Sequence, residues 1–212
     1  MNWAAEHGHE DIIKLLLEIG IENDGQGLIL ASKNGHISIV KLLIENPLDE
    51  KDYRNDDAVE CAVENNHIEI LKLFIMNGFN INKISIQSIS KVAINGHYQI
   101  IKLLIDLGLN LGENLLNPCL YATEYRHLDL VKLFISSGLD IDSIILDMME
   151  ISIINNHLEL VKLLILNYPI DLNNYLDLAM KNNNIQMVKL LINNGAEITE
   201  EEIIQLLDRI KN

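Results

Sequence analysis

Six of the seven histidines in this 212-residue chain fall at regular places: His9, His36, His67, His97, His127 and His157, with Asn184 where a seventh would stand. Histidine is the commonest metal ligand and the usual proton carrier near neutral pH, so metal binding or acid–base catalysis is the chemistry such a series could perform. The intervals of 27, 31, 30, 30, 30 and 27 residues argue against both. They put one imidazole on each successive copy of the same element. Packed helices lie about 8–10 Å apart, whereas a metal ion holds its imidazole nitrogens at about 2 Å. The segment His7-Gly-His9-Glu-Asp11 is the nearest thing to a ligand cluster, but the periodicity already accounts for His9 and leaves His7 alone. Each repeated ring is expected instead to hydrogen-bond the turn between two helices, as buried polar groups do. No Gly-x-Ser-x-Gly, phosphate-binding glycine loop or His-Glu-x-x-His is present, and these are the arrangements that hydrolytic and phosphoryl chemistry require. The expectation is a protein that is not an enzyme, with no catalytic residues, no metal and no cofactor.

The elements that carry the histidines are legible. Five residues after each stands a lysine (Lys14, Lys41, Lys72, Lys102, Lys132, Lys162, Lys189) that opens Lys-Leu-[Leu/Phe]-[Ile/Leu]. Paired aliphatics precede it, from Ile12-Ile13 to Met187-Val188. Apolar residues at +3, +4, +7 and +8 from the histidine draw one buried helical face, with the lysine turned to water. The leucines at +6, among them Leu103 and Leu133, are placed in the repeat core. Five residues before the histidine a small side chain recurs (Ala4, Ala31, Ala62, Ala122, Ser152, Ala179, with Val92 the exception), and an apolar residue stands at −8. Glycine closes five of the longer helices at +11, and segments such as Asn80-Ile-Asn82 and Asp140-Ile-Asp142 supply turn residues.

A fixed period of this size signals stacked supersecondary units. The fold expected is all-α: about seven helix-turn-helix units of 27–31 residues forming a solenoid. One unit of this size cannot bury a core by itself, so residues 1–212 are expected to form a single domain. Thr199-Glu-Glu-Glu202 reads as a capping box and 199–212 as a C-terminal capping helix. The first repeat begins without a polar N-terminal cap.

Asn34-Gly-His-Ile-Ser-Ile-Val-Lys-Leu-Leu-Ile44 resembles the second helix of the ankyrin repeat, and Gly195-Ala-Glu-Ile198 resembles the family's Gly-Ala-Asp-Val ending. The family's Thr-Pro-Leu-His is missing, its place taken by Gln26-Gly-Leu-Ile29, Asp57-Ala-Val-Glu60 and Asn117-Pro-Cys-Leu120. The period is also short of the family's usual length, so short loops are expected in place of projecting β-hairpins. Units such as Asp57-Ala-Val-Glu-Cys-Ala-Val-Glu-Asn-Asn-His67 resemble the divergent Asn- and Ile-rich ankyrin repeats of amoebal giant viruses.

The resemblance implies a non-catalytic protein–protein interaction scaffold whose concave face carries the residues two and three before each histidine. There the middle repeats present Ile94, Tyr125 and Ile154, with Glu64 and Glu124 as acidic neighbours. These five are the candidate partner-binding residues. The alternative is a passive structural array, or an excerpt of a longer one, with no dedicated partner. A net charge of −15 and pI near 4.7 oppose binding to nucleic acid and suit a protein partner with a basic or apolar surface. No small-molecule substrate is implied. No secretion signal or run of 18 apolar residues appears, so a membrane role is not expected. Cys61 and Cys119, two repeats apart, are expected to be buried free thiols in a reducing, cytoplasmic setting, the host cytoplasm if the protein is viral.

Overall fold

The computed structural model describes residues 1–22, 25–46, 54–201, 203 and 204. Among them are fourteen α-helices in seven pairs and no strand. The first helices of the pairs are α1 (Asn2–Glu6), α3 (Gln26–Asn34), α5 (Arg54–Glu64), α7 (Ile86–Ile94), α9 (Leu116–Glu124), α11 (Ile145–Ile154) and α13 (Asn173–Lys181). The second helices are α2 (Glu10–Glu18), α4 (Ile37–Glu45), α6 (Ile68–Met76), α8 (Tyr98–Asp106), α10 (Leu128–Ser136), α12 (Leu158–Asn167) and α14 (Ile185–Asn193). The all-α helix-turn-helix expectation is therefore met, with loops and two short 3-10 turns as the described connections.

The chain falls into two compact units, Met1–Pro118 and Cys119–Asn212. In the first unit α1, α3, α5 and α7 stack in order, and α2, α4 and α6 do likewise beside them. In the second, α11 packs on α13 and α12 on α14. The small residue at −5 is what permits this closeness: Ala31, Ala62, Val92, Ala122, Ser152 and Ala179 are wholly buried. The apolar residue at −8, from Leu28 to Leu176, is buried as well.

On the second helices the buried set is +3, +4 and +7, as in Ile39-Val40-Leu43, Ile70-Leu71-Phe74 and Leu130-Val131-Phe134. Every repeat lysine is exposed. Some lysines pair along their helix, as Lys72 with Glu69 and Lys162 with Glu159, both at 2.7 Å. Two sequence expectations need correction here. The +6 leucines, Leu103 and Leu133 included, are half-buried, apart from the exposed Leu15, and the +8 aliphatics are half-buried as well. A helical face centred on +3, +4 and +7 leaves +6 at its margin, so the residue after each of these leucines, Leu104 or Phe134, is the one the core encloses. Cys61 is also half-exposed rather than buried; both cysteines are free thiols. Burial pushes the Cys119 thiol up to about 12, which leaves it inert, because the thiolate is the reactive form.

The linkers repeat one device. Asn80, Asp140 and Asp171 each accept the backbone N–H two residues on, at 3.0–3.1 Å. This Asx turn tucks the intervening Ile81, Ile141 or Leu172 into the core. At the C-terminus, Glu200, Glu201, Ile203 and Ile204 are helical, and the Ile203 N–H donates to the Thr199 carbonyl at 3.0 Å. The rest of the expected cap, Glu202 and 205–212, lies outside the described residues, as does Pro47. No described helix is long and apolar enough to cross a membrane.

Candidate functional site: the inter-helix turns and the ends of the first helices

The turn between the paired helices is the same in all seven repeats. The histidine's backbone N–H, or that of Asn184, donates to the carbonyl of the −5 residue, at distances from 2.7 Å (His157 to Ser152) to 3.1 Å (Asn184 to Ala179). The residue just before it is left-handed in every copy: Gly8, Gly35, Asn66, Gly96, Arg126, Asn156 and Asn183. A six-to-one bond closed over a left-handed residue is the Schellman ending of a helix. It reverses the chain tightly enough to lay the second helix beside the first.

The ring then reaches back one repeat. His36 Nε2 donates to the Glu6 carbonyl at 3.0 Å, and His67 Nε2 to the Lys33 carbonyl at 2.9 Å. The acceptors are the −3 residues of the preceding repeat, so each bond satisfies a helix-end carbonyl and ties two units together. The room for it comes from glycine. A Cβ on Gly8 would stand 2.8 Å from the His36 ring, and one on Gly35 2.6 Å from the His67 ring. Asn184 does a different job, accepting the Met187 N–H at 3.0 Å as an N-cap of α14.

The five predicted partner-binding residues are distributed over both compact units. In the second, Glu124 ends α9, Tyr125 follows it and Ile154 ends α11; Tyr125 and Ile154 are each 51% exposed, and Glu124 is exposed too. Ile154 also lines an open groove of about 420 Å³ with Asn156, Asn182 and Ile185. In the first unit Ile94 is half-buried. Glu64 there is committed to its neighbours: both its oxygens lie 2.8 Å from Lys91 Nζ, and Ser88 Oγ lies 2.7 Å from Oε1. Ser88 Oγ also lies 2.9 Å from Glu60 Oε2. This buried serine with its flanking acids joins α5 to α7, which sequence periodicity could not show. Elsewhere in this unit Trp3, 61% exposed, stacks on His7 and His9 with ring centroids 4.7 and 4.9 Å away. Among the described residues no three His, Cys, Asp or Glu side chains are grouped to hold a metal ion.

Sequence reasoning passed over the surroundings of Arg126 and His157. Arg126 has φ 66° in the turn column where every other repeat uses glycine or asparagine. In the left-handed region the Cβ of an L-residue crowds a carbonyl oxygen at a cost of roughly 1–2 kcal/mol, which glycine escapes and asparagine bears more easily than arginine. The signal was available in sequence, since Arg126 is the odd member of the −1 column. Arg126→Gly is expected to raise stability by about 0.5–1 kcal/mol once glycine's greater unfolded entropy is deducted. A thermal melt would show this as a rise of roughly 1–4 °C; a fall would mean that the arginine side chain stabilises the fold.

His157 is 5% exposed. Neither ring nitrogen has a hydrogen-bond partner of good geometry, although the Thr123 backbone lies close enough to favour its protonated form in part. Burial first, then the nearby Arg126 charge, hold the imidazole below the usual histidine range. It is neutral at pH 7, with one N–H to donate and one bare nitrogen to accept. Arg126 and His157 share a cleft of about 490 Å³ with Leu128, Leu158 and Leu160, edged by Asn156, Glu159 and Gln186.

Comparison with known proteins agrees with this geometry. Residues 1–85 match the family description "Ankyrin repeats (3 copies)", and residues 171–202 match "Ankyrin repeat". Among solved structures, the crystal structure of the human ASB11 ankyrin repeat domain is similar with a TM-score of 0.69. It is 18% identical in sequence, over 93% of this chain and 98% of that one. Comparison with curated proteins returns no match. With the family's helix pairs, its Schellman turns and its sequence pattern at both ends, the chain belongs to the ankyrin-repeat family.

Proposed function

We propose that this chain is a non-catalytic scaffold that binds a protein partner on the concave face expected of ankyrin repeats, at the ends of its first helices. The observation that carries the reading is the exposure of Tyr125 and Ile154, two large side chains at matching ends of successive first helices. Tyrosine is one of the three residue types enriched at binding hot spots, and an apolar patch with polar edges is where they occur. Glu124 stands exposed beside Tyr125 and gives the patch an acidic edge. Ile94 and Glu64 hold the equivalent positions in the first compact unit. Glu64 is already neutralised by Lys91, so it contributes less attraction than Glu124.

The partner that fits is a protein with an apolar centre and a basic rim, drawn by the chain's charge of −15. The Asn- and Ile-rich repeats support a giant-virus-like origin, and the free thiols a reducing compartment such as a host cytoplasm. The unbroken repeat register supports one domain over 1–212.

Capture from a host-cell lysate tests the reading. A basic protein is expected to be retained by the wild type at low ionic strength and to be released steeply as salt shortens the Debye length from about 10 Å at 0.1 M to about 3 Å at 1 M. Retention of acidic proteins only, or capture indifferent to salt, contradicts the proposed acidic edge.

A further inference from the structure

The cleft between Arg126 and His157 adjoins the groove beside Ile154, sharing Asn156 and Gln186 with it, but asks for a different occupant. Three observations converge on it. His157 is nineteen-twentieths buried and still lacks a well-formed hydrogen bond at either ring nitrogen. A buried polar atom left unpaired is costly, and native proteins rarely keep one without a use. Arg126 is held in a left-handed conformation that the other repeats give to glycine or asparagine, and strain of this kind concentrates at binding sites. Arg126 is one of three arginines, with Arg54 and Arg209, on a chain whose other fixed cations are lysines. The cleft they share has an aliphatic floor of Leu128, Leu158 and Leu160, and its volume of about 490 Å³ suits a ligand of two or three residues.

From this geometry we infer that the cleft is a binding site for the C-terminal end of a peptide, with a free carboxylate and an aliphatic last side chain. The Arg126 fork matches a carboxylate, and a neutral His157 donates its ring N–H to the same group. The leucines take the aliphatic side chain. Asn156 and Gln186, at the edge, offer amide donors and acceptors that suit peptide N–H and C=O groups, whereas a fatty acid would leave them unpaired. Glu159 also lines the cleft, but its ion pair with Lys162 at 2.7 Å offsets its repulsion of an anion.

The test titrates the full chain with N-acetyl-Ala-Val-Leu as the free acid, with its C-terminal amide and with hexanoate, following the histidine ring signals by NMR. The free acid is expected to shift the His157 signals and to bind at least tenfold more tightly than either comparison ligand. Arg126→Gly is expected to weaken the free acid at least tenfold while the fold is kept, since glycine is the residue other repeats use in this turn. Arg126→Lys, which retains charge and loses the fork, should fall between. Tyr125→Ala should leave peptide binding unchanged, which separates this site from the proposed protein-binding surface. Equal binding of acid and amide, indifference to Arg126→Gly, hexanoate as tight as the peptide, or no binding by any probe would each overturn the assignment.

Discussion

Phe134→Ala is expected to destabilise the protein by about 3–5 kcal/mol, whereas Leu133→Ala, one residue earlier, should cost about 1–2 kcal/mol. Phe134 sits at +7 on α10 and is fully enclosed. Its removal loses the transfer energy of an aromatic ring and leaves a cavity that two packed layers of helices cannot collapse around. Its carbonyl also accepts the Leu139 N–H at 3.1 Å in the closing turn of the helix, so slack at this position loosens the turn as well. Leu133 is half-buried and already meets water in the folded state. Urea unfolding would measure both variants against the wild type, with midpoints shifting and slopes unchanged. Equal losses would mean that the buried face is centred one residue earlier than the structure places it.

The contrast shows where sequence reading reached and where it stopped. Recurrent Ala at −5 and paired aliphatics at +3 and +4 fixed helix pairing and stacking, because a period of about 30 residues repeats one packing solution. Leu103 and Leu133 were assigned to the core because leucine occurs at +6 in every copy; invariance across repeats does not distinguish a helical face's centre from its margin. Glu64 looked like a free acid because its hydrogen-bond partners, Ser88 and Lys91, lie on the next repeat's helix, about 25 residues away, where spacing alone gives no contact. His157 looked like its five counterparts, and only geometry shows a buried ring whose approach to the Thr123 backbone falls short of the well-formed carbonyl bond that His36 and His67 make. Arg126 was the exception that sequence did display, as the one long side chain in a column of Gly and Asn.

Tyr125→Ala is expected to weaken binding of the partner by about 2 kcal/mol or more, a loss of roughly thirtyfold, if the residue is the hot spot proposed. Half of the side chain is open to water in the free protein, so the ring has apolar area still to bury on binding. The same exposure limits the cost to folding, since substitutions at exposed positions usually fall within about 0.5 kcal/mol. Ile154→Ala should weaken binding less, because the patch loses a smaller side chain. If Tyr125→Ala melts as early as Phe134→Ala, the tyrosine is part of the core and the surface loses its centre.

The most direct test is the amount of basic protein retained from one lysate by equal quantities of folded wild type and folded Tyr125→Ala at the same low salt. The account predicts a clear band held by the wild type and lost from the variant. Equal retention by the two would contradict a partner-binding surface centred on Tyr125.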